Sequence, residues 1–153
     1  MRRLLIVIAL LAVMGVPAAS AKARLPMTAG AQTLELRGGR GTAILALRGS
    51  ALGKLRYGRV VVTRPSWSTA SISVTGWETR RRLSPTKVLF KGSYLGYRLF
   101  GGSWRLKLVG RGTNLSAAGR GSFSLVGTAG TYSIAGRAYK PWPTTFTTFA
   151  LGS

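Results

Sequence analysis

Glycine recurs so often along this chain that long helices do not fit between its positions. The sequence holds 21 glycines, and they separate short runs that are rich in β-branched and aromatic side chains. Glycine in a helix interior costs about 1 kcal/mol relative to alanine, whereas it supplies the positive φ that tight turns need. No stretch carries a sustained helical period of apolar residues. The pattern therefore predicts an all-β fold.

The predicted domain is a single antiparallel β-sandwich or β-barrel over residues 32–153. Its length suits one compact unit with its own hydrophobic core. The alternation of apolar and polar residues does not distinguish a sandwich from a barrel, so both architectures stay open. About nine or ten short strands are expected, at 33–37, 42–47, 57–63, 70–75, 86–90, 94–100, 103–109, 122–126, 131–135 and 145–151.

Gly101 and Gly102 predict a two-residue turn that joins strand 94–100 to strand 103–109 in a hairpin. Pairing outward from this turn puts Leu99 opposite Trp104. Because side chains alternate between the two faces of a strand, the predicted register collects one apolar face. Its members are Leu95, Tyr97, Leu99, Trp104, Leu106 and Leu108.

The opposite face of this predicted hairpin is basic. It places Arg98 directly opposite Arg105, with Lys107 on the same face. Such a like-charge pair destabilises a sheet by a few tenths to about 1 kcal/mol. Two explanations stay open: an external polyanion lies across these strands, or water and salt screen the repulsion.

Gly-rich tetrads at 38–41 and 127–130 predict two further hairpins. The first would pair 33–37 with 42–47 and align Leu34 with Leu45, and the second would pair 122–126 with 131–135.

The motif Gly-Arg-Gly-Thr or Gly-Arg-Gly-Ser occurs three times, at 39–42, 110–113 and 119–122. We interpret each copy as turn chemistry with an arginine at an exposed tip; an array of arginine tips that grips anions is the alternative.

The N-terminus has the pattern of a cleavable secretory signal over residues 1–21. Arg2 and Arg3 precede an apolar run at 4–16, and Ala-Ser-Ala at 19–21 offers a small-x-small cleavage site. The run is shorter than the roughly 18 residues of a membrane span; a retained anchor is the alternative. The sequence therefore predicts a secreted or cell-envelope protein.

Removal of this signal would leave a mobile leader at 22–31 followed by the β domain. The loss of Arg2 and Arg3 would lower the formal net charge from +21 to +19. A surface with so few acids attracts polyanions and releases their counterions on binding.

The residue types that most active sites use are nearly absent. The chain has no His and no Cys, and its only acidic side chains are Glu35 and Glu78. Catalysis and metal binding usually need a positioned imidazole, thiol or carboxylate. A glycosidase-like pair would require the fold to bring Glu35 and Glu78 together. The composition favours a non-catalytic protein without metal or cofactor.

Arg80, Arg81 and Arg82 form the densest cationic cluster. Three consecutive side chains on a strand cannot share one face, so we expect a loop or strand end that is either a solvated tip or an anion contact. Glu78 is expected to pair with one of these arginines, and Glu35 with Arg37. Among the aromatic residues, Tyr97 and Trp104 are expected in the core, and Trp142, in a Pro-flanked segment, is expected to be exposed.

Three Gly-rich segments stand out: Gly-Gly-Ser-Trp-Arg-Leu-Lys-Leu at 101–108, Leu-Ser-Ala-Ala-Gly-Arg-Gly at 115–121 and Gly-Arg-Gly-Thr at 39–42. Together they resemble segments of small exported β-rich proteins of GC-rich Gram-positive bacteria. The similarity would cover most of residues 33–151. It implies export and an all-β fold, and it carries over no activity and no site residues.

Taken together, these features predict a secreted or envelope binding protein whose basic β-surface engages extracellular anionic polymers. Wall glycans, anionic lipid headgroups and nucleic acid are the candidate ligands. A structural or assembly protein without a specific ligand, or a nucleic-acid-binding module, is the alternative. The expected anion-binding side chains are Arg80, Arg81, Arg82, Arg98, Arg105 and Lys107.

Overall fold

The computed structural model describes residues 30–152 and is all-β, as predicted. The expected signal peptide at 1–21 and most of the expected leader at 22–31 lie outside the described residues. Within 30–152, no helix is long and apolar enough to cross a membrane. Seven strands form one antiparallel sheet: β1 Gln32–Thr63, β2 Ser71–Thr75, β3 Thr79–Ser84, β4 Lys87–Phe100, β5 Ser103–Ile134, β6 Lys140–Pro141 and β7 Thr147–Leu151.

The two longest strands, β1 and β5, form an antiparallel ribbon that coils on itself. Leu34 and Ala51, both in β1, flank Ala117 of β5 on its two sides. An extended strand can return beside itself only by winding, so residues 34–51 complete one turn of the coil. Each long strand therefore occupies two separate positions in the sheet.

The order of the sheet follows from this coil. From one edge to the other it runs through β4, the second half of β1 (49–63), the first half of β5 (103–119), the first half of β1 (32–48) and the second half of β5 (120–134). Strands β2 and β3 pair with the outer side of β4, and β6 and β7 pair with β5. Within residues 30–152, no pairing joins β2 or β3 to β6 or β7, so neither the predicted closed barrel nor the predicted sandwich is confirmed.

A row of paired glycines crosses five neighbouring segments of β4, β1 and β5 and explains how the ribbon bends. Gly92, Gly58, Gly110, Gly41 and Gly127 are successive partners from β4 to the second half of β5; we call them the glycine row. The φ angles of Gly41, Gly58 and Gly110 are 146°, 148° and 156°, values that L side chains rarely adopt. A Cβ added to any of these three would lie 2.1 or 2.2 Å from a carbonyl oxygen of the adjacent strand.

The alternation of buried and exposed residues changes phase at the glycine row. In β5, Leu106 and Leu108 are buried before the row, and Leu115 and Ala117 are buried after it. The buried positions change from even to odd numbers, yet all four side chains belong to one hydrophobic cluster. The row therefore lets both parts of each long strand present their apolar side chains to the same core.

Two of the predicted hairpins are wrong. The tetrads at 38–41 and 127–130 lie inside β1 and β5, which continue through them, and Leu34 pairs with Ala117 and Ile134 rather than with Leu45. Gly41, Gly127 and Gly130 admit close approach of neighbouring strands, and none of these glycines reverses the chain. Because such segments merge, residues 30–152 form seven strands where about nine or ten were expected.

The Gly101-Gly102 turn forms, but the strands that it joins do not pair with each other. Both glycines have positive φ, 64° and 70°, as a primed two-residue turn requires. Strands β4 and β5 lie on opposite sides of the second half of β1. Leu99 therefore pairs with Ala51 there, whereas Trp104 pairs with Leu47 in the first half of β1. The predicted hairpin register is therefore wrong. The predicted apolar face is nevertheless buried throughout: Leu95, Tyr97, Leu99, Trp104, Leu106 and Leu108 are at most 2% exposed.

Candidate anion-binding surface

The strand register gathers exposed cations on one outward surface of the sheet. Residues directly opposite each other on paired strands place their side chains on the same face, so the pairing of β3, β4, β1 and β5 identifies which cations are neighbours. We call eight of these exposed cations the basic face: Arg40, Arg59, Arg81, Lys87, Lys91, Arg105, Lys107 and Arg111.

Two like-charge pairs stand directly opposite each other on the basic face. Arg59 of β1 pairs with Lys91 of β4, and Arg40 of β1 pairs with Arg111 of β5. Each arrangement disfavours the sheet by a few tenths to about 1 kcal/mol. The repulsion is relieved by screening salt or by a bound anion. This surface therefore stores unfavourable electrostatic energy that an anionic ligand would remove.

A concavity of about 320 Å³ lies at one end of the basic face. Lys107 stands directly between Val61 and Ile44 on the neighbouring strands, and Arg105 stands beside Thr63. The half-buried Ile44 and Val61 give the concavity an apolar floor with cations between and around them. Such a floor lowers the hydration of the cations and strengthens their contact with an anion. The complete lining is Ile44, Val61, Thr63, Lys87, Arg105 and Lys107.

Neither glutamate of the chain is part of the basic face. Glu35 lies beyond the glycine row, where its carboxylate accepts a hydrogen bond of 3.1 Å from Arg37, as predicted. Glu78, at the margin of the face, accepts the backbone N–H of Ser93 at 3.3 Å and makes no ion pair with an arginine of the described residues, so its predicted pairing is wrong. The cations of the face are therefore not neutralised internally.

The structure divides the six predicted anion-binding residues. Arg105 and Lys107 lie together on the basic face, and Arg81 shares it through its pairing with Leu89. Arg98 lies beyond the glycine row, opposite Leu52 and Ser73. The predicted Arg98–Arg105 pair is therefore wrong, because β4 and β5 do not pair. These residues remain predictions as ligand contacts.

The arginine cluster at 80–82 belongs to a strand and not to a loop or strand end. Arg80, Arg81 and Arg82 lie within β3, which pairs with β4 along one edge. All three side chains are exposed because β3 is an outer strand. Arg80 and Arg82 alternate with Arg81, so they point away from the basic face.

Two of the aromatic predictions are confirmed and the third is wrong, because the exposed tryptophans are Trp67 and Trp77 and not Trp142. Tyr97 and Trp104 are buried as expected, whereas Trp142 is only 5% exposed. Its ring packs where a side chain on Gly39 would stand, and its Nε1 donates to the carbonyl oxygen of Thr131 at 3.2 Å. Trp142 is therefore a core residue.

The two tyrosines with raised pKa values lie outside the basic face. Burial raises the pKa of Tyr97, and its hydroxyl donates to the carbonyl oxygen of Asn114 at 3.0 Å. Desolvation, followed by the hydrogen bond and charge of Glu35, raises the pKa of Tyr139. The Arg37 guanidinium lies 4.3 Å from the centre of the Tyr139 ring. Both arrangements are structural contacts within residues 30–152.

Residues 30–152 hold no group of three or more His, Cys, Asp or Glu placed to bind a metal ion. No protein family, no curated protein and no solved structure matches this chain.

Proposed function

We propose that this chain is a non-catalytic binding protein, exported to the cell envelope or the medium, whose basic face engages an anionic polymer. One observation carries the proposal: eight exposed cations lie on neighbouring strands of one sheet without a glutamate among them. Export is proposed from the signal-like pattern at 1–21 alone.

The energetics favour a multivalent ligand. Each phosphate or carboxylate that replaces a screening ion on the face releases counterions into solution. Arginine adds bidentate hydrogen bonds to such groups. A polymer that contacts Arg59, Lys91, Arg40 and Arg111 would also relieve both like-charge pairs. Relief of this repulsion should make binding stabilise the folded protein as well.

The direct test is the salt dependence of binding by the purified protein to duplex DNA, an anionic wall glycan and a neutral glycan. If all eight cations meet duplex phosphates, log affinity should fall with log salt with a slope of about −7. The neutral glycan should not bind. Failure to bind either polyanion at about 50 mM salt would refute the proposal.

A matched pair of double variants locates the interaction. Arg105→Gln with Lys107→Gln removes two charges from the basic face, and should reduce the magnitude of the DNA slope by about 2. Arg137→Gln with Lys140→Gln removes the same charges from exposed positions outside the basic face and serves as the control. Equal effects of the two double variants would mean adhesion by net charge, without a localised face.

Single-stranded nucleic acid is a second candidate ligand because an exposed aromatic side chain lies beside Arg111, which pairs with Arg40 on its other side. Tyr57 is 51% exposed, pairs with Arg111, and has the Arg111 guanidinium 5.4 Å from its ring centre. Rings beside cations stack on bases while the cations contact phosphates. A Tyr57→Ser variant that loses affinity for oligonucleotides, yet keeps its affinity for an anionic glycan, would favour this candidate.

A further inference from the structure

The most exposed tryptophan among residues 30–152 is displayed on a tightly held loop. Trp67 is 73% exposed and lies between β1 and β2. Ser68 fixes the loop through two hydrogen bonds. Its backbone N–H donates to the carbonyl oxygen of Pro65, and its hydroxyl donates to the carbonyl oxygen of Ser103 at 2.6 Å. Arg64 donates to the carbonyl oxygen of Ala70 at 3.2 Å. The loop is therefore ordered before any partner arrives, and it holds a large apolar ring in water.

A second apolar tip lies at the same end of the sheet. Leu83, at the register irregularity of β3, is 47% exposed. The following turn is held by Arg82, whose guanidinium donates to the carbonyl oxygens of Ser84 and Pro85 at 3.3 and 3.2 Å. The backbone N–H of Arg64 donates to the carbonyl oxygen of Thr86 at 2.9 Å. This hydrogen bond joins the turn to the start of the tryptophan loop, residues 64–70 between β1 and β2.

Cations of the basic face border these two tips. Lys87 begins β4 directly after the second turn and pairs with Thr63, the last residue of β1 before the tryptophan loop. Arg105 pairs with the same Thr63 from the other side. The end of the sheet thus combines two exposed apolar side chains with Lys87 and Arg105. We call Trp67, Leu83, Lys87 and Arg105 the docking end.

We propose that the docking end binds the surface of a bilayer rich in anionic phospholipid, with Trp67 and Leu83 entering the headgroup region. This inference rests on the proposed function and selects anionic lipid headgroups from the three candidate ligands that the sequence suggests. Tryptophan favours the boundary between headgroups and acyl chains. An aliphatic side chain such as Leu83 gains from acyl chains, whereas it has no base or sugar ring to stack on.

The charge and geometry of the docking end fit the same ligand. Each basic residue within one Debye length of an anionic leaflet contributes about 1 kcal/mol to the free energy of membrane binding. Lys87 and Arg105 can reach phosphates while their aliphatic stems cover apolar area. Because hydrogen bonds already fix both tips, insertion costs little conformational entropy.

The test compares variants of the full protein on vesicles of phosphatidylglycerol and phosphatidylcholine. Trp67→Ser and Leu83→Ser should each lower the partition coefficient, the Trp67 variant by about tenfold. Phe146→Ser is the matched control, because Phe146 is a 58% exposed aromatic residue of another loop; its effect should stay below about twofold. Brominated lipid should quench the fluorescence of wild type and not that of the Trp67 variant.

Soluble inorganic polyphosphate separates this inference from the proposed function. Wild type and the Trp67 variant should bind polyphosphate equally, because the loop tip adds no charge. Binding to polyphosphate without preference for anionic vesicles, or equal vesicle binding by the Trp67 and Phe146 variants, would overturn the inference and leave the proposed function standing. Failure of wild type to bind polyphosphate and vesicles alike would overturn both.

Discussion

Replacing Gly110 by alanine tests whether the glycine row determines the path of the two long strands. A Cβ at this position would lie 2.1 Å from the carbonyl oxygen of Tyr57 and 2.9 Å from the Cα of Gly58. Both are backbone atoms, so the neighbouring strand itself must move. The φ of 156° at Gly110 adds conformational strain for any L side chain.

The expected loss of stability follows from these two effects. A residue held in a sparsely populated backbone region costs about 1 to 3 kcal/mol. Forcing a methyl group into a filled site costs about 1 to 3 kcal/mol more. Gly110→Ala should therefore lower the free energy of unfolding by roughly 2 to 6 kcal/mol, a large part of the usual 5 to 15 kcal/mol.

Gly38→Ala is the matched control for the conformational effect. Gly38 also has a positive φ, 59°, yet an added Cβ there meets nothing within 4 Å. Its substitution should cost only the left-handed strain of about 1 to 2 kcal/mol. Urea denaturation followed by the fluorescence of the buried Trp104 and Trp142 measures both variants.

The double variant Gly58→Ala with Gly110→Ala tests whether the two added methyl groups compete for the same space between the strands. Gly58 and Gly110 are direct partners, and a Cβ on either one would meet the backbone of the other. Once the strands have separated for the first methyl group, the second should cost less, so the effects should be sub-additive by about 0.5 to 3 kcal/mol. A Gly110→Ala variant as stable as Gly38→Ala, or strict additivity in the double variant, would refute the close-approach explanation.

Three further predictions concern the core, the surface charge and the buried phenol. Trp142→Ala should lower the free energy of unfolding by about 3 to 5 kcal/mol in urea denaturation, because the ring is almost fully buried. Arg59→Thr should raise stability at low salt by a few tenths to about 1 kcal/mol by removing its repulsion with Lys91, and denaturation at about 1 M salt should abolish the gain. Because burial raises the pKa of Tyr97, the folded state favours the neutral phenol. The contribution of Tyr97 to the free energy of unfolding should therefore be complete below a pH of about 10 and decrease as the pH rises further. Denaturation between pH 9 and 11 measures this slope, which Tyr97→Phe should reduce.

The sequence allowed the inward-facing residues to be predicted well, because burial within a strand is a local property. The alternation over 94–109 identified six side chains that are all buried. It depends only on the period of two along each strand. Strand partners could not be predicted in this way, since the coil brings β1 between β4 and β5. The Gly101-Gly102 turn has the expected backbone angles and still joins strands that are not neighbours.

The predicted site failed in part for the same reason. Arg105 and Lys107 were placed correctly as exposed neighbours along one strand, but Arg98 was assigned to the same face through a hairpin that does not exist. Lys87 was missed because its proximity to Arg105 arises through Thr63, on a strand distant in sequence. Its position at the start of a predicted strand gave no local signal of this contact.

The repeated Gly-Arg-Gly motif shows how the glycine row and the surface charge are connected. Two copies face each other across antiparallel strands, where Gly41 pairs with Gly110 and Arg40 pairs with Arg111. The predicted turns are absent because neither strand ends there, although the arginines are exposed as expected. Glycine is needed for the close approach, and the residue beside it must point outward. The same motif that bends the strands therefore places two arginines together, so bending and charge are encoded in the same short segment.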